Sequence, residues 1–286
     1  MKRTFLGLGA ILAFLVVAAT ALPAILHAAG LHPVYEGPSV ALPGKRALII
    51  TTSHSVLAPP GETDGPETGV MASEFTHPYY TFLDNGMSVD MASIQGGRIP
   101  IDPQYLAYPI ITPEDERYLN DSDAQTKVRK SIAMADVDIG QYDIVFISGG
   151  WGAAYDLAQS PALATKVSEA YYGERTAVIG GVCHGVLGLV NAKDNEGNTL
   201  IAGRRMTGVT DKQIGELGIE MTPLHPEAEL RKAGALFESQ TAFRDLFATH
   251  VVVDEERRFV TGQNQNSGLE TAHRMMHVIA GRGLSR

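Results

Sequence analysis

The sequence has very little cysteine, because Cys183 is the only one among its 286 residues. This excludes an intramolecular disulfide framework and any zinc site built on paired thiolates. The nine histidines are scattered without the spacing of metal ligands, so we predict no metal site and no cofactor. Basic residues are also few. The 23 Lys and Arg against 32 Asp and Glu give a net charge of −9, which disfavours binding to nucleic acid.

Charged residues are absent from a long stretch near the N-terminus. After Lys2 and Arg3 no Asp, Glu, Lys or Arg occurs before Glu36, and residues 4–26 form an apolar run. A helix of that length spans roughly 35 Å, enough to cross a bilayer core of about 30 Å. The run predicts either a membrane anchor or a cleaved signal peptide, with residues 19–21 (Ala-Thr-Ala) as the cleavage site. In both cases we expect the rest of the chain on the periplasmic or another extracytoplasmic side.

The composition divides the chain into three parts. Residues 1–30 hold the anchor or signal peptide. Residues 31–44 contain three prolines and two glycines and are predicted to be a linker. Residues 45–286 are predicted to form a single domain in which strand-like and helix-like stretches alternate. The predicted strands are 47–52, 88–94, 142–148, 176–179, 200–206 and 251–260, and the predicted helices are 70–85, 121–135, 161–172 and 269–280. The alternation predicts an α/β fold with a doubly wound, mostly parallel sheet and helices on both faces.

A glycine-flanked cysteine follows one of the predicted strands. Residues 181–185 (Gly-Val-Cys-His-Gly) have the small-x-nucleophile-x-small pattern of a nucleophile elbow, a strained turn between a strand and a helix. We expect the Cys183 thiol to lie near a helix N-terminus, which would lower its pKa. The alternative is that Cys183 is a small buried hydrophobic residue, as most free cysteines are.

A second glycine-rich turn, residues 148–152 (Ser-Gly-Gly-Trp-Gly), follows another strand. Ligands bind at the carboxyl ends of the strands in such sheets, so both turns are expected at the same edge. Gly149, Gly150 and Trp151 are therefore candidates for an oxyanion hole or substrate-binding region, since glycines let backbone N–H groups approach a ligand. The alternative is a tight turn that merely needs positive φ.

Proton transfer at this edge needs a further group. The candidates are several carboxylates and the histidines His184, His225 and His250. Because His184 directly follows the cysteine, we expect its ring to point away from the thiol, although it could still pass a proton to bound substrate.

The two turns together resemble a known family. Residues 146–150 (Phe-Ile-Ser-Gly-Gly) and 181–185 are similar to the ThiJ/PfpI family of the class I glutamine amidotransferase-like superfamily. Further stretches resemble the branch that contains heat-shock chaperones and glyoxalase III enzymes, namely 73–80, 96–103, 206–211 and 261–264. The resemblance covers residues 46–281 and not the apolar run. It implies a flavodoxin-like sheet with a cysteine nucleophile elbow, and a possible homodimer.

The resemblance implies roles for individual residues. Cys183 matches the family's nucleophile, and Glu74 matches a glutamate that lies against the cysteine sulfur. Without the resemblance, Glu74 would be read as a solvated carboxylate on a helix. His184 matches the histidine after the cysteine, and Gly150 with the backbone N–H of His184 matches the oxyanion region.

One position departs from the family's pattern, and the position of one further carboxylate is left open. Trp151 stands where many relatives have histidine after the glycine pair. Some relatives place a carboxylate after the Thr-Gly-x-Thr stretch, and here both Asp211 and Glu216 are candidates.

The implied activity is conversion of methylglyoxal to lactate without glutathione, so the expected partner is a small reactive carbonyl. The thiolate adds to the aldehyde, Glu74 moves a proton through an enediol, and water releases the acid. One alternative is a non-enzymatic stress protein, either a holdase chaperone or a redox sensor. Another is a hydrolase or amidotransferase-like protein. Residues 225–227 (His-Pro-Glu) superficially fit an amidotransferase, but they lie only 42 positions after Cys183 and open a predicted surface helix, so we discount them.

Overall fold

The computed structural model describes residues 2–283, with side chains for residues 11–281. The strands are β1 (Arg46–Thr51), β2 (Ser88–Ser93), β3 (Ile132–Ala133), β4 (Ile144–Ile147), β5 (Val178–Val182), β6 (Arg205–Met206), β7 (Leu236–Phe237), β8 (Val251–Val253) and β9 (Phe259–Gly262). Seven of them form one sheet of order β3-β2-β1-β4-β5-β9-β8, and β6 pairs with β7. In the large sheet β8 runs antiparallel to β9, and the other neighbours pair in parallel.

Helices cover both faces of this sheet. The helices of the described residues are α1 (Lys2–Ala28), which lies away from the sheet, α2 (Ala72–Asp84), α3 (Pro113–Leu119), α4 (Ser122–Arg129), α5 (Ala153–Asp156), α6 (Pro161–Tyr172), α7 (Asp211–Leu217), α8 (Pro226–Lys232) and α9 (Gly268–Gly283). Alternate β1 residues enter different apolar clusters. Leu48 and Ile50 belong to the cluster that includes α6, whereas Ala47 and Ile49 belong to the one that includes α2 and α9. The predicted doubly wound, flavodoxin-like fold is confirmed.

The strand order places a crevice at one edge of the sheet. From β1 the chain winds outward through β2 to β3, and it then returns to β4 on the other side of β1 before continuing to β5. Such a reversal leaves a gap at the carboxyl ends of the two central strands, where ligands bind in open α/β sheets. Helix α2 lies between β1 and β2 in the chain, and the two glycine-rich turns follow β4 and β5.

Several predicted boundaries are wrong for identifiable reasons. The predicted strand 251–260 is the hairpin β8–β9, because the Asp254 carboxylate accepts from the N–H groups of Arg258 and Phe259 and closes a turn. The predicted strand 200–206 is reduced to β6, because residues 200–203 form turns. The predicted helix 121–135 ends at Arg129, after which β3 joins the sheet.

The strand predicted at 176–179 is β5, which begins later and continues through two glycines. A Cβ on Gly180 would lie 1.7 Å from the Val260 carbonyl oxygen, and one on Gly181 would lie 2.1 Å from that of Ile147. The glycines therefore do not end the strand. They allow its neighbours to approach closely.

The residues that follow α1 pack against the domain. Within α1, the exposed span Ile11–Ala28 is long and apolar enough to cross a membrane, a test that a signal sequence also passes. Residues 31–44, all of them described, contain no helix or strand. They nevertheless lie on the domain, because Leu31 and Leu42 are buried and the Tyr35 ring stacks on His273 at 3.8 Å.

Candidate active site

Cys183 lies on a strained turn between β5 and a short 3-10 helix, Cys183–Leu189. Its φ of 56° is in the left-handed region, which residues with a side chain rarely adopt. Gly185 makes the turn possible, since a Cβ there would lie 2.2 Å from the Ile147 carbonyl oxygen. The predicted nucleophile elbow is therefore present, although the segment after the cysteine is a 3-10 helix and not an α-helix.

Glu74 lies in the first turn of α2 and is fully buried beside the elbow. Its Oε2 accepts a hydrogen bond from the Gly149 N–H at 2.7 Å, and the Ser148 hydroxyl donates to its backbone carbonyl at 2.9 Å. The other carboxyl oxygen, Oε1, is buried without a hydrogen-bond partner among the described residues. The alternative of a solvated helix carboxylate is thus wrong. The N–H of Gly149, expected to face a ligand, instead holds this carboxyl.

The Cys183 thiol and the Glu74 carboxyl are close enough to shift each other's proton affinity. Burial raises the pKa of Glu74 to about 8, and the Gly149 N–H and the nearby Cys183 thiol only partly oppose this rise. Burial, and then the charge of Glu74, raise the pKa of the Cys183 thiol well above its usual range, although the backbone N–H groups of His184 and Gly150 oppose the rise. The predicted lowering of the thiol pKa by a helix terminus is wrong, because loss of hydration outweighs these N–H groups. Burial therefore favours the uncharged form of both groups.

The His184 ring contacts the sulfur, contrary to the expectation that it points away. Its Nδ1 lies 3.5 Å from Cys183 Sγ, and its ring meets that of Trp151 edge to face at 5.1 Å. Burial, and secondarily the nearby His225, lower the pKa of His184 to about 3, so its imidazole is neutral. Its Nε2 has no hydrogen-bond partner among the described residues. A neutral imidazole in this position can relay a proton but does not hold one as a cation.

Backbone N–H groups from both glycine-rich turns converge on the sulfur. Those of Gly150 and His184 lie close enough to stabilise negative charge there. Gly150 has a φ of 86°, and a Cβ at this position would lie 2.4 Å from the Met71 backbone nitrogen. Trp151 closes the turn, with its indole N–H donating to the Tyr105 hydroxyl at 3.0 Å. This arrangement has the geometry of an oxyanion hole beside a nucleophile.

The pair opens into a cavity of about 320 Å³ with largely apolar walls. Besides the residues already described, it is lined by Leu26, Leu31, Met71, Gln104, Pro109, Ile110, Gln213, Leu217, Leu246, Phe247 and Gln265. Sequence reasoning missed all of these. They come from segments far apart in the chain and lie in no recognisable motif, so no local signal identifies them.

The other candidate groups lie elsewhere. The half-exposed Asp211 faces His225 at 3.9 Å, and Glu216 accepts from the Asp245 N–H at 2.8 Å. Neither lines the cavity, which Gln213 of the same helix reaches instead. Glu227 accepts from the Asp211 N–H and pairs with Arg231, so it does not serve His225 as an amidotransferase-like dyad.

His250 does not contribute to the site, and the described residues contain no candidate metal centre. His250 lies 3.7 Å from Glu238 and does not line the cavity. Among the described residues, no group of three His, Cys, Asp or Glu side chains is arranged to hold a metal ion.

Fold and site together define an α/β protein with a buried cysteine nucleophile elbow. The chain belongs to the DJ-1/PfpI family, whose family model matches residues 67–277. It is 30% identical over 220 residues to Glyoxalase 3 of Candida albicans, covering 73% of this chain and 89% of that protein. It is also 30% identical over 247 residues to the glutathione-independent glyoxalase HSP31 of Saccharomyces cerevisiae, covering 82% of this chain and 98% of that protein.

Solved structures agree with this assignment. Rapid Encystment Protein 24 KDa of Francisella tularensis superimposes with a TM-score of 0.74 at 31% identity, covering 82% of this chain and 99% of that one. The crystal structure of glyoxalase III from Candida albicans superimposes with a TM-score of 0.70 at 28% identity, covering 82% of this chain and 96% of that one. The predicted resemblance to the ThiJ/PfpI family is confirmed.

Proposed function

We propose that this protein is a glutathione-independent glyoxalase, a lyase that converts a small 2-oxoaldehyde and water into a 2-hydroxy acid. The observation that carries the proposal is the buried pair of Cys183 and Glu74 beneath two converging N–H groups. The names of the two relatives that are 30% identical to this chain support it. The substrate's aldehyde carbon is oxidised and its neighbouring ketone carbon is reduced, so no external oxidant, reductant or cofactor is needed.

Catalysis begins with the pair in its singly ionised form. As Sγ of Cys183 bonds to the aldehyde carbon, the Glu74 carboxylate takes the thiol proton and passes it to the aldehyde oxygen. The N–H groups of Gly150 and His184 stabilise the charge on that oxygen. Glu74 then removes the hydrogen on the former aldehyde carbon as a proton and returns it to the ketone carbon through an enediol, while the hydroxyl proton on the former aldehyde oxygen moves to the ketone oxygen. Water finally cleaves the resulting thioester, which releases the acid and restores the thiol.

Glu74 suits this shuttle because of its proton affinity. A general base works best when its pKa lies near the operating pH. Burial raises the pKa of Glu74 to about 8. An ordinary surface carboxyl, with a pKa near 4, would release its proton easily but would be a much weaker base toward a carbon-bound hydrogen.

The test is lactate formation from methylglyoxal by the purified full-length protein, without glutathione. We expect Cys183→Ala to lower kcat/KM by roughly 1,000-fold or more and Glu74→Gln by roughly 100-fold or more. The matched control is Asp211→Asn, which removes a carboxylate outside the cavity and should stay within about twofold of wild type. A wild-type protein that forms no lactate, or a fully active Cys183→Ala variant, would overturn the proposal and favour a chaperone or sensor.

We also propose that α1 is a membrane anchor and that the domain lies on the extracytoplasmic side. The length and apolar character of Ile11–Ala28 support this. Carbonate extraction of membranes should leave the full-length chain in the pellet, whereas a cleaved signal peptide would leave a shortened, soluble chain. The homodimer stays a prediction, which sedimentation of the purified protein tests.

A further inference from the structure

The cavity that contains Cys183 is partly walled by residues outside the resemblance to the family. Leu26, in the last turns of α1, and Leu31, just after this helix, line the same cavity as Cys183 and Glu74. Leu31 is buried, and Leu26 is partly buried. The end of the apolar N-terminal run is therefore part of the substrate site.

The turn that follows α1 and carries Leu31 is hydrogen-bonded to the domain by the Asn266 side chain. Asn266 accepts a hydrogen bond from the His32 N–H at 2.7 Å and donates to the Gly30 carbonyl at 2.9 Å. The same amide donates to the Leu246 carbonyl at 2.7 Å, and Leu246 also lines the cavity. Asn266 is itself buried. The turn is thus built into the wall and is not a loosely attached extension.

Two residues of the domain meet the end of the N-terminal segment. Pro109 and Ile110 line the cavity together with Leu26 and Leu31. Leu26 and Leu31 both follow the candidate cleavage site at residues 19–21, so they remain in the protein whether or not the segment is cleaved.

The cavity is larger and more apolar than methylglyoxal requires. Methylglyoxal has five non-hydrogen atoms, and at roughly the 30 Å³ that a water molecule occupies in the liquid it fills about half of the space. The cavity measures about 320 Å³. Much of its wall is aliphatic or aromatic, including Leu217 and Phe247 with the two N-terminal leucines. A wall of this kind favours a ligand that brings apolar surface with it.

We infer that the preferred substrates are 2-oxoaldehydes with an apolar chain of several carbons, and that Leu26 and Leu31 bind this chain. The inference rests on the proposed function, since the reacting aldehyde is the group that Cys183 attacks. The chemical steps are the same as those proposed for methylglyoxal, and the apolar chain of the substrate contributes only binding energy. Each methylene that moves from water into an apolar cavity should raise kcat/KM by roughly fourfold until the cavity is full.

The first measurement compares methylglyoxal with 2-oxooctanal on the full-length protein. We expect the wild type to have a kcat/KM at least roughly tenfold higher for 2-oxooctanal. Leu26→Asn should lower the ratio of the two kcat/KM values roughly tenfold, because it places an amide where the chain binds. The matched control is Ile25→Asn. Ile25 is the adjacent apolar residue of α1, is 57% exposed and does not line the cavity, so the ratio should stay within about twofold.

The second measurement reads binding without turnover. Cys183 is the only thiol in the chain, so its alkylation by iodoacetamide reports on occupancy of the cavity. We expect 2-hydroxyoctanoate to protect the thiol at a concentration at least roughly tenfold lower than lactate, and Leu31→Asn to remove this advantage. The binding measurement therefore remains decisive if Leu26→Asn perturbs folding.

The two measurements separate failure of the inference from failure of the proposed function. A wild type that turns over neither aldehyde, yet is protected preferentially by 2-hydroxyoctanoate, refutes the glyoxalase activity and supports the apolar subsite. A wild type that prefers methylglyoxal, or that lactate and 2-hydroxyoctanoate protect equally, overturns the inference. The inference would also be overturned if Leu26→Asn and Ile25→Asn lowered the ratio of kcat/KM for 2-oxooctanal to kcat/KM for methylglyoxal by the same factor.

Discussion

The floor and the wall of the active-site cavity differ in chemistry and in origin. The floor consists of Glu74, Cys183, His184 and the Gly150 N–H, which all lie at the carboxyl edge of the sheet. The wall includes Leu26 and Leu31 of the N-terminal segment, and Leu246 and Phe247 of a 3-10 helix before β8. Floor residues carry the titratable groups, and wall residues carry apolar surface.

Burial determines how the titratable groups of the floor behave. A carboxyl in water has a pKa near 4, and burial is the largest cause that raises the pKa of Glu74 to about 8. The same exclusion of water makes His184 a neutral imidazole, since burial lowers its pKa to about 3. Exclusion of water thus sets the protonation states on which the proposed reaction depends.

The strongest test of this comparison is the pH dependence of stability with and without Glu74. A carboxyl with a raised pKa in the folded state stabilises the fold below its unfolded pKa, and this stability is lost as the pH rises toward the folded pKa. The window here runs from about 4.5 to about 8. The unfolding free energy of the wild type should therefore fall relative to that of Glu74→Gln by several kcal/mol, on the order of 3–5, across this window.

Urea denaturation of both proteins at several pH values measures this difference. The amide of the variant does not titrate, so the variant supplies the reference at each pH. A difference that stays constant from acidic to mildly basic pH would show that Glu74 is hydrated in the folded protein.

A smaller effect on unfolding free energy is expected when Gly150, whose N–H belongs to the floor, is replaced. Gly150→Ala forces a side chain into positive φ and places its Cβ 2.4 Å from the Met71 nitrogen. We expect a loss of about 3 kcal/mol in unfolding free energy together with loss of activity. Gly61→Ala is the matched control, because Gly61 also has positive φ, 91°, but has nothing within 4 Å of the position that the new methyl group would occupy. It should lose only about 1 kcal/mol. Equal losses would mean that close packing under the oxyanion region is unimportant.

Weakening the attachment of the wall should have a more local effect. Asn266→Ala removes three hydrogen bonds, two to the turn at Gly30 and His32 and one to Leu246. We expect amide hydrogen exchange around residues 30–32 to accelerate by roughly 10- to 30-fold, equivalent to about 2 kcal/mol of local stability. Amides of β4 and β5 should keep their protection. A uniform acceleration across the sheet would instead indicate that the turn is not a separate unit.

The smallest expected effect concerns the hydrogen bond between Trp151, which follows Gly150 of the floor, and Tyr105. Trp151→Phe keeps an aromatic ring beside His184 but loses the bond to the Tyr105 hydroxyl. We expect a loss of about 1 kcal/mol in unfolding free energy. Tyr105→Phe should cause a similar loss, and the double variant should be little worse than either single one. Fully additive losses would show that the two groups do not interact.

Much of the fold was predictable because it depends on local patterns. Short β-branched runs predicted the central strands, and alternation with helices predicted the doubly wound sheet. The errors occurred where a side chain from the same short segment changed the backbone path, as with Asp254 in the β8–β9 hairpin. The end of strand β5 was predicted too early because glycine usually ends strands, whereas here it permits two neighbours to pack closely.

The candidate site was predictable only in its motif residues. The elbow at Cys183 and the turn at Gly150 are contiguous patterns, and the family resemblance connected Glu74 to them. The proton affinities were predicted with the wrong sign for the thiol, because a sequence pattern does not reveal how completely a group is buried. The orientation of His184 was wrong for a related reason. The turn at Cys183 has an unusual φ that brings the next ring back to the sulfur.

The amino-acid sequence by itself determined the sheet, the glycine-flanked cysteine and the apolar N-terminal run, since these follow from periodicity and from the backbone demands of glycine. Tertiary structure alone decided that this run ends in the wall of the cavity and that Glu74 is shielded from bulk water. The physical reason is that hydration depends on which distant segments pack together. Leu31 and Cys183 are far apart in the chain but share one cavity, and no local pattern encodes that contact.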